Sequence, residues 1–250
     1  MLIVISPSKT QDFTNQVRHA EYTIPVLLDE SAQLIEALRK LTTIELSKLM
    51  DISPKLAEVN FYRYQQFSTG FNLNNARQAI FAFKGDVYTD IDITHYNKTD
   101  FDFADKHLRI LSGLYGLVRP LDLIQPYRLE MKTKLKNQHG DNLYKFWGNK
   151  ITDLLNNASS EILINLASQE YFAAINPVKL KAKIVTISFK EQKGNNYQIV
   201  AIHAKRARGM MTNFIIKNKI HNVKELAQFN EKKYSFNKEL STESELVFTR

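Results

Sequence analysis

The chain reads as an α/β protein, a single domain over residues 1–250 with a mixed β-sheet and flanking helices. Three observations lead there. Short continuous apolar runs, such as Leu2-Ile-Val-Ile5 and Ile162-Leu-Ile-Asn-Leu-Ala167, have the length of buried strands. Segments with helical spacing of apolar residues stand between such runs. No Pro/Gly/Ser-rich linker and no repeat divides the 250 residues, which suffice for one large core.

Leu2 to Ile5 predicts a first buried strand, stopped by Ser6-Pro7, and the polar stretch Ser8 to Thr23 predicts a loop. Pro25 suits the first position of a helix carrying Val26, Leu27, Ala32, Leu34, Ile35, Leu38 and Leu41. Thr42-x-x-Glu45 is a capping-box pattern for a second helix to Met50, and Ser53-Pro54 opens a third to about Phe67. Gln78 to Phe83 predicts a strand stopped by Lys84-Gly85-Asp86, with a short helix near Asp100 to His107. Leu108 to Leu111 leads into a glycine turn, and Leu143 to Asn156 predicts one helix. Glu161 to Ser168 reads as a strand ending in a polar turn, followed by a short helix over Glu170 to Ile175. Ala182 to Phe189 and Tyr197 to His203 predict a hairpin around Lys193-Gly-Asn-Asn196. Helices over Ala207 to Asn218 and Val223 to Phe229 and a strand at Leu246 to Phe248 close the chain.

With 44% hydrophobic and 24% charged residues the composition is that of a folded globular protein. There is no cysteine, which excludes disulfides, thiolate metal sites and cysteine nucleophiles. The N-terminal apolar run is too short for a signal peptide, and no run of about eighteen apolar residues exists to span a membrane. A cytoplasmic protein, monomeric and without a membrane partner, is the expectation. The six histidines are scattered without ligand spacing. Asp86 to Asp105 with His95 and His107 reads as a solvated acidic loop, so no metal and no cofactor are expected.

The net charge of +8 is segregated. Residues 109–136 carry six basic side chains (Arg109, Arg119, Arg128, Lys132, Lys134, Lys136) against Asp122 and Glu130. Residues 203–219 carry Lys205, Arg206, Arg208, Lys217 and Lys219 and no acid, so the two segments hold more than the whole excess. Residues 86–105 go the other way, with six aspartates and one lysine. Such separation is the footprint of a polyanion-binding surface, or of a lysine-rich solvated face.

Three groups of residues carry candidate chemistry. Gly113-Leu-Tyr115-Gly116 places two glycines beside Arg109, Arg119, Arg128 and Lys132, where a helix-hairpin-helix turn would offer backbone N–H groups to phosphates. Its spacing is one residue longer than usual for that motif, and a packed strand-to-helix turn is the other reading. Lys205-Arg206-Ala-Arg208-Gly209 stands at the expected start of a helix, where cations and free N–H groups would jointly favour an anion. Finally, Ser6, Lys9 and Thr10 follow the first strand, Lys84 follows the second, and Asn165, Ser168 and Glu170 follow a third. Loops at the carboxyl ends of strands are where α/β folds bind ligands, and with Tyr127 and Glu130 these would form a cleft.

These residues lie in longer motifs: Ile5-Ser-Pro-Ser-Lys-Thr10, Phe83-Lys-Gly-Asp-Val-Tyr88, Leu111-Ser-Gly-Leu-Tyr-Gly116, Arg119-Pro120, Pro126-Tyr-Arg-Leu-Glu-Met131, Leu143-Tyr-Lys-Phe-Trp-Gly148, Asn165-Leu-Ala-Ser168 and Lys205-Arg-Ala-Arg-Gly209. In that order, and through Glu245-Leu-Val-Phe248, the chain resembles the YaaA peroxide-stress resistance family. Ser8 departs from the alanine common there, and Lys132 from a glycine. The resemblance implies a cytosolic bacterial protein limiting hydrogen peroxide damage, linked to lowered free iron. It also implies a helix-hairpin-helix at Gly113 to Gly116, a basic cleft at Lys205, Arg206 and Arg208, and binding of double-stranded or branched DNA.

The expected function is therefore phosphate-directed DNA binding in the peroxide response. The rival is an enzyme acting on a nucleotide-like or phosphorylated small molecule, or on a damaged DNA end, in the strand-end cleft. Iron sequestration by histidine and carboxylate is a third, weaker expectation.

Overall fold

The computed structural model describes residues 1–14 and 19–250, so four residues of the expected Ser8–Thr23 loop lie outside the described residues. β1 (Leu2–Ile5) is buried along its whole length, as a continuous apolar strand must be when both faces are covered. β2 (Thr10–Gln11) lies within the loop. α1 (Leu28–Arg39) starts after a turn at Val26 and Leu27 rather than at Pro25. It buries Leu28, Leu34, Ile35 and Leu38, with Asp29 and Glu30 in the dipole-favoured first turn. α2 (Thr43–Met50) has the expected capping box, Thr42 N donating to Glu45 Oε2 at 2.8 Å. α3 (Pro54–Gln66) is capped by Ser53.

The strand expected over Gln78 to Phe83 is a correction. β3 (Arg77–Gln78), α4 (Ala79–Ala82) and β4 (Phe83–Lys84) replace it, because Ala79 N and Ile80 N donate to Asp122 O and Pro120 O instead of to a neighbouring strand. The five-residue apolar run Ala79 to Phe83 cannot by itself distinguish buried strand from buried helix turn. α5 (Asp86–Thr89) and α6 (Lys98–His107) follow, the latter capped reciprocally by Asn97 and Asp100. β5 (Leu108–Ser112), β6 (Gly116–Val118) and β7 (Leu123–Ile124) come next. The helix expected from Leu143 to Asn156 divides into α7 (Leu143–Trp147) and α8 (Lys150–Asn157) at Gly148, whose φ of 49° interrupts helical geometry.

β8 (Ile162–Leu166), α9 (Gln169–Phe172), β9 (Lys183–Lys193) and β10 (Asn196–Gln198) confirm the strand, short helix and hairpin in kind. β10 is shorter than expected, and α10 (Ala201–Lys217) starts six residues early because Ala204 and Ala207 bury the same face as Met211 and Ile215. The segment Val223–Gln228 is a 3-10 helix, and β11 (Ser235–Phe236) and β12 (Glu245–Thr249) complete the chain.

The main sheet is mixed and eight-stranded, in the order β11-β12-β9-β8-β1-β5-β6 with β10 on β9. β12, β9, β8, β1 and β5 are mutually parallel; β6, β10 and β11 run antiparallel to their neighbours. From β1 the chain returns to β5 on one side, and from β8 it proceeds to β9 on the other. β1 and β8 are adjacent, so the topological switch point lies between them, and a crevice is expected beyond their carboxyl ends.

Candidate nucleic-acid interface

The glycine turn is not a helix-hairpin-helix. β5 and β6 pair antiparallel across it, Ser112 with Gly116, so strands flank the turn on both sides. Gly113, Tyr115 and Gly116 are buried, and Tyr115 OH both accepts from Gln125 N at 2.9 Å and donates to Gln125 O. Side-chain atoms at Gly113 would overlap the Leu129 carbonyl, and Trp147 Nε1 donates to Gly113 O at 3.1 Å. The glycines serve close internal packing, buried away from any phosphate.

The arginines disperse. Arg109 folds back to donate from Nη1 to Asp105 O at 2.9 Å and Leu108 O at 2.8 Å, and burial pushes its pKa down. Arg119 pairs with Asp105 on a face shared with Glu21 and Asp102. Arg128 and Lys132 line a different cavity altogether.

α10 also differs from expectation, since Lys205 to Gly209 sit beyond its first turn and no free N–H groups join them. Its cations meet the acidic segment. Arg206 binds Asp90 through two bonds, Lys205 lies 3.9 Å from Asp86, and Lys217 and Lys219 both bind Asp100. Arg208 is largely buried, with its pKa pushed down by burial and no acidic partner among the described residues. Four of the five cations of this block are thus paired with Asp86, Asp90 and Asp100 of the acidic segment.

Cations also gather around a cavity of about 440 Å³ lined by Lys9, Lys48, Arg128, Lys132 and Lys134, with Glu130 and Asp51 the acidic members. Lys132, Lys134 and Lys136 are exposed while Met131, Thr133 and Leu135 between them are buried. Lys132 stands in the turn closed by Thr133 N donating to Glu130 O at 3.0 Å, and beyond it the alternation is that of extended chain, which separates Lys134 from Lys136 by roughly 6.6–6.8 Å on one side. The lysines were legible in the sequence as charge, and their period of two was the available signal. Lys48 carried none, because only the packing of α2 brings it here.

The strand-end loops come together at the switch point. Ser168 N donates to Ser6 Oγ at 2.8 Å, Ser6 Oγ lies 3.2 Å from Ser168 Oγ, and Tyr88 OH donates to Ser6 O at 3.0 Å. Thr10 and Lys84 pair through their backbones, but the Lys84 side chain lines a separate cavity of about 630 Å³ beside α10. Asn165 is taken up structurally, accepting from Ala167 N and donating to Thr186 Oγ1. Tyr127 OH meets Ser112 Oγ at 2.7 Å, and Glu170 accepts from Lys132 N at 3.3 Å. Glu130 accepts from Arg128 Nη2 at 3.0 Å and pairs with Lys9 Nζ at 3.1 Å, which joins this cleft to the cationic cavity. Burial pushes the phenols of Tyr88, Tyr127 and Tyr171 up; for Tyr171 the nearby Tyr127, Glu170 and Glu130 add to the effect. These groups stay neutral hydrogen-bond donors at physiological pH. No cluster of three potential metal ligands occurs among the described residues, and no described helix is long and apolar enough to cross a membrane.

A family model for "Peroxide stress protein YaaA" matches residues 1–240. The chain belongs to the YaaA peroxide-stress family. It is 53% identical over 252 residues to a UPF0246 protein of Acaryochloris marina, covering all of both chains. UPF0246 proteins from two strains of Aliivibrio fischeri are 50% identical over 254 residues, covering all of this chain and 98% of theirs. The YaaA-family motifs in the sequence map largely onto two things in this fold: the packed Gly113–Gly116 hairpin and the hydrogen-bonded loops at the carboxyl ends of β1 and β8.

Proposed function

We propose that this chain acts in the peroxide-stress response by binding double-stranded or branched DNA through its phosphates, in the cavity of Lys9, Lys48, Arg128, Lys132 and Lys134. The observation that carries the reading is the exposed pair Lys132 and Lys134 lining that cavity, with the exposed Lys136 two residues further on, beside a neighbouring cavity. Two residues of extended chain set Lys134 and Lys136 roughly 6.6–6.8 Å apart, a spaced pair of cations presented to a polyanion. Charges so spaced can follow a backbone without reading bases. The α10 cations Lys205, Arg206, Lys217 and Lys219, paired with aspartates, and the largely buried Arg208 are assigned no part in it.

Binding isotherms for duplex and four-way-junction DNA at two salt concentrations test this. Affinity should fall with a log–log slope of about −0.9 per phosphate neutralised. Affinity independent of salt would rule the reading out.

A further inference from the structure

Glu130 is an odd member of a phosphate-attracting cavity. The residue is only 8% exposed, and its Oε1 takes both the Arg128 bond and the Lys9 pairing. Oε2 takes no hydrogen bond among the described residues, yet it is not sealed from solvent. The backbone is fixed as well, with Thr133 N donating to Glu130 O at 3.0 Å. One carboxylate oxygen is thus anchored and the other is left open to a cavity that also carries the apolar Leu49 and Met50.

Such a carboxylate repels phosphate, so it does not complement a DNA backbone as such. It complements a centre that becomes positive between two phosphates. The anomeric carbon of a nucleotide is one, because cleavage there passes through an oxocarbenium-like state that a carboxylate stabilises. Resting on the DNA-binding reading of the same cavity, we propose that Glu130 is the catalytic carboxylate of an N-glycosidic-bond hydrolase centre. Lys48, Lys132 and Lys134 hold the flanking phosphates, and Leu49 and Met50 meet the base. A water at Oε2 gives its proton to the carboxylate while its oxygen bonds to C1′. The C1′–N bond breaks and its electron pair stays on the base nitrogen. The proton returns through solvent to that nitrogen, leaving a free base, a sugar hydroxyl at C1′ and an unprotonated Glu130. A base in a duplex, once turned out of the stack, and a free 5′-nucleotide offer the same bond.

The test incubates the full chain with a duplex bearing an oxidised purine, the undamaged duplex, and the free 5′-monophosphate of the oxidised deoxynucleoside. Free base is read by chromatography beside a duplex-binding isotherm. Base release from the damaged duplex or the free nucleotide supports the proposal and names the source. Glu130→Gln should lower release by about 100-fold or more, with duplex affinity kept or raised and a native melting curve. Should that variant not fold, release by the unmodified chain still decides, and Glu130→Asp should fall between the two. No release from any substrate while duplex binding persists overturns this inference and leaves the DNA reading standing. Release by Glu130→Gln at the unmodified rate also overturns it. Absence of duplex binding overturns the reading beneath.

Discussion

Arg206 grips Asp90 through two hydrogen bonds, Nε to Oδ2 at 2.8 Å and Nη2 to Oδ1 at 3.1 Å. In the sequence these residues stand more than a hundred positions apart, in a basic block and an acidic block that look like two independent faces. In the fold the blocks are one interface between α10 and the segment from α5 to α6. A cation already paired with a carboxylate releases few counterions when DNA arrives. The double variant Lys205→Ala/Arg206→Ala should therefore change duplex Kd by less than about twofold, measured by fluorescence anisotropy at fixed salt.

Asp100 gives this interface a pH dependence. Burial alone would raise its pKa, but hydrogen bonds from Lys217 and Lys219 and from Asn97 N outweigh it and bring the carboxyl to about 2. A folded pKa below the unfolded one adds stability that is full above the unfolded value and is lost as pH falls through the folded value. The contribution, roughly 2 kcal/mol, should fade as pH drops from about 4 to 2. Melting temperature against pH should be flatter across that window in Asp100→Asn than in the unmodified chain.

Much of this was readable beforehand where local chemistry decides. Thr42 with Glu45, Ser53 with Pro54, and the Leu2–Ile5 run formed as expected because caps and continuous apolar runs act over a few residues. Ala79–Ala82 was misread because its backbone partners, Pro120 and Asp122, are forty residues away. That the loops after β1 and β8 meet was legible, since carboxyl ends of adjacent parallel strands share an edge. Gly113 and Gly116 were not, because nothing local distinguishes a glycine that meets a phosphate from one pressed against Leu129 or Trp147.

Gly113 therefore makes a structural prediction. The obstacle to a Cβ there is a backbone carbonyl, which cannot rotate away as a side chain would. Gly113→Ala should cost about 2–4 kcal/mol in urea unfolding followed by the fluorescence of Trp147. DNA affinity per folded molecule should stay unchanged.

Arg119 separates the same two roles. Its partner Asp105 is 8% exposed, and the Asp105 Oδ1 is already sealed without a hydrogen bond. Removing the guanidinium leaves that carboxylate without its ion pair, and Arg119→Ala should lose about 1–3 kcal/mol by chemical denaturation. Its position apart from the lysine cavity means that the salt dependence of DNA binding should not move.

Lys132, Lys134 and Lys136 should carry what Arg119 and α10 do not. Each is exposed and next to at least one buried neighbour, and on the DNA-binding reading each would neutralise one phosphate. Counterion release then requires that each lysine lost make the slope of log K against log salt shallower by about 0.9. Single replacements by alanine should flatten the slope by that amount and weaken duplexes of unrelated sequence equally, because phosphate contacts read no bases. The triple variant should flatten it by nearly three times as much. Side chains this exposed add little to folding, so melting curves should stay native, and a slope equal to that of the unmodified chain would place the DNA elsewhere on the molecule.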